Sequence, residues 1–106
     1  MDRLGELVGQ ARAIVSGDPD RASLWRAYVA LEYAVMDIKL RHGLEGEAPP
    51  PNPAKKNKPV DITEARSMLM RLDLSSDRKK LLYDLRSCRD VVKAIVASYD
   101  RRSTTS

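Results

Sequence analysis

Gly46-Glu47-Ala48-Pro49-Pro50-Pro51-Asn52-Pro53-Ala54-Lys55-Lys56-Asn57-Lys58-Pro59 divides the chain into two helical halves and cannot itself be a helix. Each proline fixes φ, lacks the backbone N–H that a helix needs, and biases the preceding residue away from the α region. Five of the six prolines fall here, so the segment reads as an extended, stiff loop spanning 44–60. Structureless loops longer than about 12–15 residues are uncommon inside compact domains and are usually functional or disordered. This one carries Lys55, Lys56 and Lys58 with no acid after Glu47, a tip suited to a polyanion.

Upstream of the loop, Leu4, Leu7, Val8, Ala11, Ile14 and Val15 recur at helical spacing, which predicts a helix from about Asp2 to Ser16 that stops at Gly17. Asp18-Pro19 restarts the helix, with Asp18 as the cap and Pro19 in the first turn, and the pattern runs to His42 with Gly43 as the stop. Downstream, Asp61 and Glu64 form an Asp variant of the capping box, opening a third helix whose face is Ile62, Ala65, Met68, Leu69 and Leu72. Ser75 or Ser76 is the expected cap of a fourth helix, whose seam is Leu81, Leu85, Cys88, Val92, Ile95 and Tyr99. No useful stretch alternates with period two. The expectation is an all-α four-helix bundle, two helical hairpins joined by the long proline- and lysine-rich loop. It forms one domain over 1–100, followed by a disordered basic tail at 101–106.

The second helix is unusual in having two apolar arcs. Leu24, Ala27, Tyr28, Leu31, Ala34, Val35 and Ile38 fall on one side, and Trp25, Val29, Tyr33, Met36 and Leu40 on another. Glu32 and Lys39 separate them along one edge; Arg26, Asp37 and Arg41 do so along the other. One arc must be core. The second covers another helix of the bundle, a partner subunit, or a ligand that accepts flat rings.

Composition narrows the class. With 106 residues, 32% of them charged, the chain is long enough for one core and too small for two. No apolar run approaches the about 18 residues of a membrane span, and Met1-Asp2-Arg3-Leu4-Gly5-Glu6 is no secretory signal. A lone Cys88 fits a reducing interior, so a cytoplasmic protein is expected. Gln10, Asn52 and Asn57 are its only side-chain amides, and charges are plentiful, a balance that points to a thermophilic source.

Most enzymatic chemistry fails on inventory. His42 and Cys88 are single, no zinc-ligand spacing exists, no Ser-His-Asp set is forced, and there is no glycine-rich phosphate loop. Neither catalysis nor a cofactor, metal or small-molecule substrate is expected. The net charge of +4 is instead concentrated locally. Between Asp77 and Arg102, eight Lys/Arg stand against four Asp. Arg78, Lys79, Arg86, Arg89 and Lys93 share one flank of the fourth helix with Leu82, where they either track a phosphate backbone or form a solvated face balanced by Asp84 and Asp90. Trp25 and Tyr33, with Arg26 and Lys39, have the makings of a stacking platform for bases, whereas Tyr28 and Tyr99 lie on core seams.

The run Ala30-Leu31-Glu32-Tyr33-Ala34 through Lys39-Leu40-Arg41-His42-Gly43 resembles the long helix of HEPN-type bundles. Arg89-Asp90 is similar to the start of the RNase motif that those families often carry, but Ala94 stands at the histidine position. The resemblance implies a helical bundle that admits dimerisation, without the nuclease. Size, charge-rich composition and the basic, aromatic helical surface are similar to those of the archaeal ThermoDBP-related single-stranded-DNA-binding proteins. That resemblance implies a basic cleft with an apolar floor, in an oligomer. The chain ends at Arg101-Arg102-Ser103-Thr104-Thr105-Ser106 without the C-terminal zipper of some members, so dimerisation is expected to use the domain itself.

Together these readings lead to an expected homo-oligomeric, non-catalytic single-stranded nucleic-acid-binding protein, for DNA in preference to RNA. Trp25, Arg26, Tyr33, Lys39, Lys55, Lys56, Lys58, Arg78, Lys79, Arg86, Arg89 and Lys93 are its contact residues. The competing expectation is a HEPN-like interaction or oligomerisation module whose second apolar arc binds a partner helix or a second copy.

Overall fold

The computed structural model describes residues 3–44 and 61–104 as four helices: α1 (Arg3–Ser16), α2 (Arg21–His42), α3 (Ile62–Arg71) and α4 (Arg78–Thr104). No strand occurs among the described residues, and the all-α bundle is as expected. The lysine-bearing loop lies outside them, and Lys55, Lys56 and Lys58 with it. No described helix is long and apolar enough to cross a membrane.

The start signals of α2, α3 and α4 are all aspartates, though two are not the residues anticipated. Asp20, not Asp18, caps α2: its backbone is extended and its carboxylate accepts from the Ser23 N–H at 2.8 Å. That bond, with help from the Ser23 side chain, holds the Asp20 carboxyl below its ordinary range. Pro19 therefore precedes the cap rather than filling the first turn. Asp61 caps α3 by accepting from Glu64 N–H, as the sequence indicates. For α4 the cap is Asp77, which accepts from the N–H groups of Lys79 and Lys80. Ser75 and Ser76 instead serve the preceding turn, both bonded to Asp73. Three consecutive polar residues compete here, and the carboxylate, the stronger acceptor, takes the helix terminus. At the other end of α2, Gly43 adopts φ +64°, which lets the Leu44 N–H reach the Lys39 carbonyl at 2.9 Å and turns Leu44 into the core.

α4 continues to Thr104, past the boundary at which a disordered tail is expected. Arg101 and Arg102 are good helix formers, and no glycine or proline intervenes to stop them. Residues 105 and 106 lie outside the described residues.

α2 packs against α1 and α4, and α3 against the same two, which sets the ring order α1–α2–α4–α3. The core is one cluster: Leu4, Val8, Ala11 and Val15 of α1, the Leu24–Ile38 arc of α2, Ala65 and Leu69 of α3, and Leu81 to Val96 of α4. Two arginines join the hairpins. Arg66 of α3 donates to the carbonyls of Val15 and Gly17, at 2.5 and 2.6 Å. Arg12 of α1 donates to the carbonyls of Leu69 and Leu72, at 2.9 and 2.7 Å. Early α3 thus meets late α1 and late α3 meets earlier α1, so these two helices are antiparallel. Since α1 and α2 form a hairpin, α2 and α3 run the same way, and Leu44 and Asp61 sit at opposite ends of the bundle.

The carbonyls held by Arg66 lie at and just beyond the end of α1, where no further helical turn can satisfy them. Arg66→Ala is expected to cost about 1–3 kcal/mol, the range for hydrogen bonds from a charged donor and the acceptors they leave behind. Arg66→Lys should recover only part of this, because a single ammonium cannot reproduce the two-pronged fork. Urea unfolding of the three proteins measures both.

Candidate interaction face and the polar seam beside it

Five apolar residues of α2 point away from the bundle. Trp25, Val29, Tyr33, Met36 and Leu40 succeed one another at steps of four, four, three and four, forming one row along the helix about 22 Å long at 1.5 Å per residue. Trp25 is 46% exposed, Tyr33 50%, Met36 48% and Leu40 69%, with Val29 half-buried. The row lies on the side of α2 opposite Leu24, Ala27, Leu31, Ala34, Val35 and Ile38, all of which are buried. The exposure of its four large members removes one of the three open roles, that of packing on another helix of the bundle. A shallow groove lined by Leu7, Gln10, Arg26, Val29, Ala30 and Tyr33 runs along its α1 side. At the N-terminal end the Trp25 ring tilts against Tyr28, with centroids 5.0 Å apart, and the Arg21 guanidinium lies 6.0 Å from the Trp25 centroid.

The α4 flank tells a different story. Leu82 and Arg86 are buried, Arg86 at 7% exposure, and no buried side-chain nitrogen or oxygen among the described residues lacks a partner. Arg89 donates to Glu32 Oε1 of α2 at 2.9 Å and also pairs with Asp90. Arg78 folds back on the α3–α4 turn, giving Nη2 to the carbonyls of Leu74 and Ser76. Of the five expected phosphate contacts on this helix, only Lys79 and Lys93 are exposed, and fourteen residues separate them, about 21 Å. A continuous phosphate-tracking stripe is therefore not what the flank forms. The reason is that α4 packs on two neighbours, α2 and α3, so its buried arc is wider than a single seam and takes in the cationic edge facing α2.

On α2, Arg26 and Tyr33 are exposed and line the groove together, while Lys39 is half-buried in the last turn, where a cation complements the helix dipole. Trp25, Arg26, Tyr33 and Lys39 thus share one helix, and the α4 cations are not gathered beside them. Met36 and Leu40 belong to the same exposed row. Its spacing was visible in the sequence, but only as an arc of undecided role.

Glu32 is the hub between α2 and α4. Besides Arg89 it receives the Tyr28 hydroxyl, which donates to Oε2 at 2.8 Å. On the far side of α4, a cleft lined by Met68, Arg71, Leu72, Lys80, Asp84, Ser87 and Cys88 separates it from α3. Burial pushes the Cys88 thiol up to about 12, so the thiolate needed for nucleophilic or ligand chemistry is not formed near neutrality. Among the described residues no group of three or more His, Cys, Asp or Glu could hold a metal ion. Comparison with known proteins leaves this geometry to stand alone: no family model, no curated protein and no solved structure matches the chain.

The Tyr28–Glu32 bond has a pH signature. Donation to Glu32, with burial second, raises the Tyr28 hydroxyl above its ordinary value of 10.0. The folded chain keeps that proton at a pH where the unfolded chain releases it, so the contribution is present below pH 10 and is lost as pH rises through the folded value. Lys80, raised by its bond to Asp84, and Cys88 act in the same direction. The difference between wild type and Tyr28→Phe isolates the tyrosine: the variant should be less stable near neutrality, and the gap should narrow steadily above pH 10. Urea midpoints taken across the alkaline range check this.

Proposed function

We propose that this chain is a non-catalytic docking module whose working surface is the outer face of α2, which receives an apolar helical surface. One observation carries this reading: an uninterrupted row of five apolar residues, four of them large and about half exposed or more, on the side of α2 opposite its core arc. Contiguous apolar surface of this kind on a small soluble domain marks contact sites. Trp25, Tyr33 and Met36 are residue types enriched at interface centres. The edges are polar, with Arg26 and Asp37 towards one side and Glu32 and Lys39 towards the other, the rim arrangement expected around a dry contact.

A second reading, of a single-stranded nucleic-acid-binding protein with DNA preferred over RNA, is favoured by the Arg21 guanidinium beside the Trp25 ring and by Arg26 beside Tyr33. Rings next to cations are what base stacking uses, at about 1–3 kcal/mol per stacked base. Lys55, Lys56 and Lys58 would add phosphate contacts to it.

Salt and substitution separate the two. If the face docks an apolar surface, the protein at sub-micromolar dilution, with the face uncovered, binds an apolar fluorescent dye, Tyr33→Ser with Met36→Ser removes most of that signal, and added salt leaves it intact. At the same dilution the pair of substitutions should leave the melting temperature nearly unchanged. A loss of about 3–5 kcal/mol would mean that the row is core and would overturn the reading. If bases stack instead, a homopolymer single strand quenches Trp25 fluorescence and loses affinity steeply with salt. Changing Lys55, Lys56 and Lys58 together to Ala would then flatten that dependence by about two to three units of slope.

A further inference from the structure

We infer that the occupant of the α2 face is a second copy of this chain, with the two α2 helices antiparallel about a two-fold axis that passes close to Tyr33. The inference rests on the docking-face reading and names its partner. Its first support is the spacing of the row. Trp25 and Leu40 are equidistant from a centre between residues 32 and 33, as are Val29 and Met36, with Tyr33 beside that centre. Turned end for end, the row lies on itself. Trp25 of one copy meets Leu40 of the other, Val29 meets Met36, and the two Tyr33 rings meet at the axis.

The second support is charge. A two-fold across antiparallel helices sets like edges together, α1 side on α1 side and α4 side on α4 side. The α1 side of the row carries Arg26 and Asp37, which stand seven before and four after Tyr33. Each Arg26 therefore comes level, within about one turn, with Asp37 of the second copy. On the α4 side the two Glu32 carboxylates come level beside the axis, where the Arg89 already bonded to each offsets their like charge. Lys39 lies six residues, about 9 Å, out of level with the second copy's Glu32. The α1 edge thus acquires two pairs of opposite charge from one symmetry operation. Asp37 is already bonded to Arg41 at 3.1 Å, and Glu32 to Arg89, so the carboxylates are held in place on the rim before the second copy arrives. Orientation in such contacts is set by this edge pairing, while the apolar row supplies the attraction.

The test uses the full chain. Sedimentation equilibrium at tens of micromolar should give twice the 11.9 kDa chain mass. Tyr33→Glu, which sets two like charges at the axis, should give the single mass with unchanged helix content. Cysteine pairing reads the orientation, with buried Cys88 silent. Tyr33→Cys should form a disulfide-linked dimer alone. Trp25→Cys and Leu40→Cys should each fail alone and succeed when mixed. Equal cross-linking by every single variant would overturn the antiparallel sense. A wild-type monomer, or a dimer that survives Tyr33→Glu, would overturn the inference, and the docking-face reading would then still be decided separately by the dye titration. A monomer whose mass rises only on adding a homopolymer single strand would overturn it in favour of nucleic acid.

Discussion

A helix in a four-membered ring touches two neighbours, and that limit governs what this molecule does with α2. The helix has apolar residues around most of its circumference, but α1 and α4 cover only the arc from Leu24 to Ile38. Three alanines in that arc, Ala27, Ala30 and Ala34, are buried, so backbones can approach closely there while the bulk of the side chains lies elsewhere. The larger residues Trp25, Tyr33, Met36 and Leu40 are left outside. Four helices of this length have no fifth element to lay over them among the described residues. The surplus is a property of the ring and not of any one substitution.

The polar seam between α2 and α4 follows from the same packing. Once α4 lies against α2, its cationic edge faces Glu32, and burying an arginine there requires a partner for it. Arg89 finds one in Glu32, which Tyr28 completes from the α2 side. The cations that would otherwise have made α4 an electropositive surface are drawn into cohesion of the bundle. What basic character remains at the described surface is scattered rather than aligned. This shifts the balance of the molecule's chemistry from its charges to its exposed apolar row.

Helix periodicity and the breakers Gly17, Gly43 and Pro59 made the four helices legible, and Asp61 was readable as a cap because Glu64 follows at the capping-box distance. Asp18 against Asp20, and Ser75 against Asp77, were not separable: neighbouring residues of similar capping ability differ only in where the chain turns, which tertiary packing decides. The two arcs of α2 were legible as arcs, yet which one faced inward depended on neighbours that a helical wheel does not contain. The fate of Arg86 and Arg89 was illegible for the same reason. A wheel drawn for one helix treats the seam as one line, whereas a helix packed on two partners buries a wedge. The arginine clamps at Arg12 and Arg66 left no local signal, since their acceptors are backbone carbonyls 49 to 60 residues away.

Those clamps also bear on how the chain finds its fold. Each hairpin closes across a short connection, so α1–α2 and α3–α4 contacts form at little entropic cost. Joining the hairpins is the step that must close the long excursion between Leu44 and Asp61, whose ends lie at opposite poles of the bundle. Arg12 and Arg66 make bonds that exist only after that step, because each reaches from one hairpin to carbonyls of the other. Their formation therefore marks docking as distinct from helix formation. A chain weakened at these two positions would loosen on its α1–α3 side, while the more extensive α2–α4 packing still held the halves together.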